Sequence, residues 1–184
     1  MPKVCIFCGK RPESKNREHV IPKWLIALTG KPNRKVYLGR EWSNPSLAKR
    51  IYSLNSFAFP ACETCNSKYS QMESRASGVM RSLLALSPIS ADDFDALLDW
   101  FDKVRVGLWL GLLYLNGNYR DLTPQFYIGN RLAAKDRLLI IYRGQGESDG
   151  LAITGIESPI FHVMPSCFGL MVNHLHFLNA SAQD

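Results

Sequence analysis

Two cysteine pairs, Cys5-Ile6-Phe7-Cys8 and Cys62-Glu63-Thr64-Cys65, limit what this chain can fold into more than any other part of it. The C-x2-C spacing of each pair lets two thiolates converge on one tetrahedral ion without straining the turn between them. Two such pairs complete a closed four-sulfur site of the structural zinc type. Buried free thiols would not need the repeated spacing, and a redox C-x2-C is normally single and set in a thioredoxin-like βα context that is missing here. A secreted disulfide framework is disfavoured too. The spacing is that of metal knuckles and the first residues do not read as a signal peptide, so a reducing compartment, the cytoplasm, is expected. Cys167, the odd cysteine, is expected as a buried thiol.

Between the pairs runs Arg17-Glu18-His19-Val20-Ile21-Pro22, and Asn66 directly follows the last knuckle cysteine. Closing the four-sulfur site therefore draws an acid, an imidazole and an amide toward one another. Gly9 supplies the positive φ with which backbone N–H groups can turn toward sulfur. Glu18 to Ile21 reads as a strand end closed by Pro22, whose ring suits the first turn of a helix through Lys23-Trp24-Leu25-Ile26-Ala27-Leu28, ended by Gly30. Beyond Asn66, the positions Tyr69, Met72, Ala76, Val79, Met80 and Leu83 fall mostly three or four apart and predict a helix with Asn66 at its beginning. Seven residues at about 100° each return to within roughly 20° of the starting direction, so Asn66 and Glu73 share a face two turns apart. Glu73 is then either a further metal ligand or a solvent-facing carboxylate with an ion pair near Arg75.

Charge is divided unevenly. Residues 1–81 hold 15 of the 22 Lys and Arg against 5 of the 16 Asp and Glu, or +10, whereas residues 82–184 hold 7 against 11, or −4. The basic half is also the half with the cysteine knuckles. Such a surface favours a polyanion, because Lys and Arg that neutralise phosphates release condensed counterions; the alternative is a solvated basic face. Lys31, Arg34, Lys35, Arg40, Lys49, Arg50 and Lys68 are the candidate nucleic-acid contacts, and Trp42 beside Arg40 is a candidate for base stacking. The longest apolar run, Val106 to Leu115, is about half the ~20 residues a membrane span needs, so a buried helix is expected and no membrane partner.

The remainder reads as helix followed by strands. Short extended pieces are expected around Val36-Tyr37-Leu38 and Ile51-Tyr52-Ser53-Leu54. After Ser87-Pro88, a long helix starts at Ser90 or Ala91 and runs to Leu115, with Asp92, Asp93 and Asp95 in its first turn. Extended runs follow at Phe126 to Ile128, Leu138 to Tyr142, Leu151 to Ile156, Ile160 to Met164 and Phe168 to Phe177, with Gly144, Gly146, Gly150, Gly155 and Pro159 as turn residues. A small antiparallel sheet is expected, within which His162, His174 and His176 read as cross-strand or surface side chains. The fold class is α+β. A seam near Leu86–Ser90 divides residues 1–86 from residues 87–184, as two domains or as one packed unit.

The two knuckles, the string Glu18-His19-Val20-Ile21-Pro22 and Asn66 after Cys65, in that order, resemble the HNH endonucleases. These are the ββα-metal nucleases, and the likeness is to the branch in which four cysteines hold a structural zinc and an Asp/Glu-His pair stands where other members have His-His. The resemblance covers about residues 3–80 and implies a zinc-stapled ββα-metal module, with Cys5, Cys8, Cys62 and Cys65 as the zinc ligands. It also implies His19 as the general base, with Glu18 and Asn66, and Glu73 as a third candidate, as ligands of a catalytic Mg²⁺ or Mn²⁺. Hydrolysis of a phosphodiester suits that set: imidazole, with a reference pKa of about 6.5, accepts a proton from water, and a hard cation held by oxygens takes up charge on the leaving oxygen. Two features depart from the pattern. The stretch from Pro22 to Cys62 is longer than the compact motif usually has, and no histidine lies in the final helix. The implied activity is cleavage of DNA, in phage defence or restriction, with residues 87–184 positioning substrate or docking a second copy or another protein. The other classes are a zinc-containing nucleic-acid-binding module without catalysis and an effector subunit switched by a partner.

Overall fold

A computed structural model describes residues 4–30, 34–38, 50–54, 58–115, 126–132, 136–145 and 150–182. Among these the chain is mixed helix and antiparallel sheet, an α+β arrangement. Strand β1 (Arg17–His19) leads through Pro22 into helix α1 (Lys23–Leu28), which stops at Thr29 before Gly30 at φ 105°. Strands β2 (Lys35–Leu38) and β3 (Arg50–Ser53) pair with each other, at the two extended pieces expected there. Strand β4 (Ala58–Pro60) returns beside β1, so that Glu18 faces Phe59 and His19 faces Ala58 in register. Immediately after it, helix α2 (Glu63–Leu84) begins, with Cys62 at the N-cap position. The helix thus starts three residues before Asn66, which lies in its first turn rather than at its head.

Helix α3 (Ala91–Leu115) is the centre of the molecule. Every residue from Trp100 to Tyr114 is buried, because this helix is covered on more than one side. One side meets the N-terminal elements: Trp100 lies 5.3 Å from Trp24, and a Cβ on Gly107 would come within 3.0 Å of the Val20 side chain. A side chain there would have to displace Val20 by a few tenths of an ångström, so the glycine favours the close approach of the helix to the strand end that carries His19.

The other side of α3 meets a four-stranded antiparallel sheet of β5 (Arg137–Arg143), β6 (Leu151–Thr154), β7 (Cys167–Val172) and β8 (Leu175–Ser181), in the order β5-β8-β7-β6. Alternation along β7 and β8 turns Phe168, Leu170, Val172, Leu175 and Phe177 inward, and Phe101 of α3 sits 5.0 Å from Phe177. The buried residues of both halves of the chain form one hydrophobic cluster. Polar groups cross this interface: Arg105, paired with Asp102 of the same helix at 2.9 Å, bonds Asn179 of β8, while Arg137 of β5 reaches Asp102 at 2.8 Å and also Asp99.

Two expected strands are not strands. In the run Ile160 to Met164, residues 160–163 lie in a short helix, α5 (Pro159–Val163), with Met164 at its C-cap; it is begun by Ser158, whose hydroxyl accepts from Phe161 N–H, and by Pro159 in the first turn. Phe126 and Tyr127 lead into helix α4 (Ile128–Arg131). The run from Phe168 to Phe177 is two strands, β7 and β8, with Asn173 at φ 54° in the turn between them. Cys167 on β7 is only partly buried. His162 lies on α5 and His174 in the β7–β8 turn, and His176 on β8 stacks on Tyr142 at 4.8 Å.

Candidate functional site

The four knuckle cysteines come together. All their Sγ atoms lie within 4.8 Å of one another, and Cys8 and Cys62 are 3.9 Å apart. A tetrahedron built on Zn–S bonds of about 2.3 Å has edges of about 3.8 Å, so the sulfurs stand at metal-binding separations. Cys5 and Cys62 are buried, Cys8 and Cys65 half-buried. Burial and the neighbouring Cys5 and Cys8 sulfurs push the Cys62 thiol up to about 12, and the same causes bring Cys65 to about 12. Four thiolates crowded together without a countercharge are costly, and a bound divalent ion is what relieves that cost.

The first knuckle is built by local bonds and then clamped from outside. Gly9, at φ 72°, closes the turn by donating to Cys5 O at 2.8 Å, and Phe7 N–H points at Cys5 Sγ at 3.4 Å. Ile6 N–H donates to Pro60 O at 3.1 Å, which joins the knuckle to β4 and hence to the second cysteine pair. On its far side, Ile128 and Gly129 of α4 donate to Ile6 O and Phe7 O at 3.1 and 2.8 Å. Gly129 is required there, since a Cβ would meet Phe7 O at 2.8 Å.

Beside the knuckles, alternation along β1 separates the two residues expected to work together. Glu18 points into the interior and is 5% exposed, whereas His19 is half-buried on the opposite face of the strand. The Glu18 carboxylate is bound by the ammonium of Lys103, from the middle of α3, and the same ammonium binds Glu73 of α2. Burial raises the Glu18 pKa, Lys103 opposes the rise and the nearby Glu73 adds to it. Glu73 is thus neither a solvent-facing carboxylate nor a partner of Arg75, which pairs with Asp93 at 3.2 Å. Asn66, one residue past the knuckle, is half-buried and donates from Nδ2 to Asn16 Oδ1 at 3.4 Å, with its Oδ1 as its acceptor atom.

Among the described residues, the four cysteines are the one grouping of three or more Cys, His, Asp or Glu donors close enough to hold a metal ion; Glu18, His19 and Glu73 do not gather into a second. Comparison with family models, with curated proteins and with solved structures finds no match. The site therefore stands on its own geometry.

Of the candidate nucleic-acid contacts, Lys31, Arg40 and Lys49, like Trp42, lie outside the described residues. Lys35 and Arg50 occupy the paired strands β2 and β3. Lys68 is exposed on α2, its ammonium 5.3 Å from the Tyr69 ring centre. Arg34 is occupied otherwise: its guanidinium binds Thr29 O at 2.6 Å and the Thr29 hydroxyl, closing the end of α1.

Lys103 is the site residue that the sequence pattern did not single out. Its signal is present in retrospect. Asp102-Lys103-Val104-Arg105 places three charges inside the apolar helix, and a charge at a buried position requires a partner. No helix among the described residues is long and apolar enough to cross a membrane.

Proposed function

We propose that this protein is a metal-dependent endonuclease of the HNH type, hydrolysing phosphodiester bonds of DNA, with a structural zinc at Cys5, Cys8, Cys62 and Cys65. One observation carries the reading. The strand bearing Glu18 and His19 pairs with the strand that runs straight into the second cysteine pair and the helix bearing Asn66. With α1, β2 and β3 lying between them in sequence, the paired β1 and β4 and the α2 that follows support the reading, since a ββα-metal module requires two strands and a helix beside its metal.

His19 is the general base. It lies at the last position of β1, half-buried and turned away from the Lys103 pair, where imidazole can take a proton from a water lying beside a phosphodiester. For a catalytic Mg²⁺ or Mn²⁺, the donor atoms of the hard-oxygen kind are Asn66 Oδ1 and the oxygen of Glu18 not bound to Lys103. When bound, such an ion supplies charge stabilisation at the leaving oxygen. The neighbouring side chains hold these donors: Asn16 orients the Asn66 amide, and Lys103 fixes the Glu18 carboxylate. The basic N-terminal half, +10 over residues 1–81, supplies attraction for the DNA backbone.

Plasmid cleavage tests the reading. Supercoiled DNA is expected to be nicked or linearised in the presence of Mg²⁺ or Mn²⁺, and His19→Ala to remove the activity while DNA binding persists. Binding without cleavage in the wild type would favour the non-catalytic zinc module.

A further inference from the structure

Lys103 is 1% exposed, yet it bonds two carboxylates from different elements: Glu18 of β1, whose side chain is 7% exposed, and Glu73 of α2, 24% exposed. An ammonium has three donors, and two of them are used here. The three residues lie far apart in sequence and meet only because α3 packs against both β1 and α2. Two carboxylates and one ammonium leave a local charge of −1, so half of the negative charge is already compensated. A divalent ion coordinated by both carboxylates would need direct oxygen contacts at about 2.0–2.6 Å. It would then stand beside a fixed positive charge, in the space the ammonium fills.

We propose that Lys103 is the built-in cation of this site. Its ammonium takes the position between Glu18 and Glu73 that a divalent ion would otherwise occupy, so Glu73 is a positioning residue and not a metal ligand. The consequence is geometric. Glu18 immediately precedes His19 on β1, and Glu73 lies two turns beyond Asn66 on α2, so the lysine ties together the elements that carry His19 and Asn66. Only the importance of that spacing rests on the nuclease reading; the occupancy of the two carboxylates does not.

Divalent-ion binding tests this without any cleavage assay. Zinc-loaded wild type, Glu73→Gln, Lys103→Met and the double variant are titrated with Mn²⁺, followed by electron paramagnetic resonance of the free ion. Glu73→Gln is expected to bind Mn²⁺ within about twofold of wild type, because Glu73 is not a ligand. Lys103→Met is expected to bind Mn²⁺ at least about tenfold more tightly, since removing the ammonium frees two facing carboxylates. The double variant should lose that gain. A Glu73→Gln protein whose Mn²⁺ affinity falls about tenfold or more would overturn the proposal, as would a folded, zinc-loaded Lys103→Met protein with no gain. Should Lys103→Met fail to fold, Glu73→Gln alone decides. The two readings fail separately: a wild type that never cuts DNA removes the nuclease and leaves Lys103 as it stands, whereas loss of Mn²⁺ binding in Glu73→Gln, alongside a wild type that cuts DNA in a His19-dependent way, removes only the role given to Lys103.

Discussion

Removing the metal from the four cysteines should open the first knuckle while the centre of the molecule stays folded. Without metal, four outward hydrogen bonds hold residues 4–10 to the rest: Ile6 N–H to Pro60 O, Ile128 N–H to Ile6 O, Gly129 N–H to Phe7 O and the Tyr114 hydroxyl to Val4 O. At about 1 kcal/mol each they contribute roughly 4 kcal/mol. Burial of Ile6 and Phe7, both essentially inaccessible, adds about 1.5–3 kcal/mol each. Against this stands the backbone entropy of seven ordered residues, at about 1–2 kcal/mol each. The two sides come close to balance, so the segment is marginal by itself. The metal decides the outcome, since a structural zinc contributes on the order of 10 kcal/mol or more. Hydrogen exchange read by mass spectrometry, before and after chelation, checks this. The amides of Ile6, Ile128 and Gly129 and the β1–β4 pair should lose protection, while α3 and the four-stranded sheet keep theirs. Equal protection of the knuckle in fully metal-free protein would refute the reasoning, as would a native preparation carrying no stoichiometric zinc.

Further expectations concern chemistry and packing. His19→Ala should lower cleavage by about 10²–10⁴ with zinc content and DNA affinity retained, and added Mg²⁺ or Mn²⁺ should not rescue it. Wild-type activity should fall as the medium is acidified, because a protonated imidazole no longer accepts a proton; a profile flat to pH 5 counts against His19 as base. Asn66→Ala should lose activity that excess Mn²⁺ partly restores, in a titration of rate against metal concentration. DNA affinity should fall steeply with salt, the slope of log K against log salt being about −0.9 per phosphate contact on duplex DNA; a flat response removes the charge-based part of the reading. Gly129→Ala should destabilise the knuckle by about 1–3 kcal/mol, since its methyl meets Phe7 O, and hasten zinc loss to a chelator.

Much of this fold follows from local pattern. The C-x2-C spacing, the helix-period run through Leu115 and the Pro22 and Pro88 boundaries lie in neighbouring residues, and the elements appear where those signals stand. The failures are informative in the same terms. Ile160 to Met164 is a short apolar run, which strands and buried helices share, and the Ser158-Pro159 start signal decides for helix. Phe126 to Ile128 turns into α4, where the amides of Ile128 and Gly129 find carbonyl partners in the first knuckle rather than in a neighbouring strand.

The sequence by itself determined which residues can bind metal, which half of the chain is basic and which helix is buried, because spacing, charge and periodicity are properties of adjacent residues. Tertiary structure alone decided how those residues are used. It brought Cys8 within 3.9 Å of Cys62 across 54 positions and set Glu18 and His19 on opposite faces of one strand. It also carried Lys103 across 85 positions to Glu18 and 30 to Glu73. No local pattern foretells that last meeting, because a buried lysine takes whatever carboxylates the packing of its helix delivers, and here that packing is fixed by Gly107 against Val20 and by the aromatic side chains beneath α3.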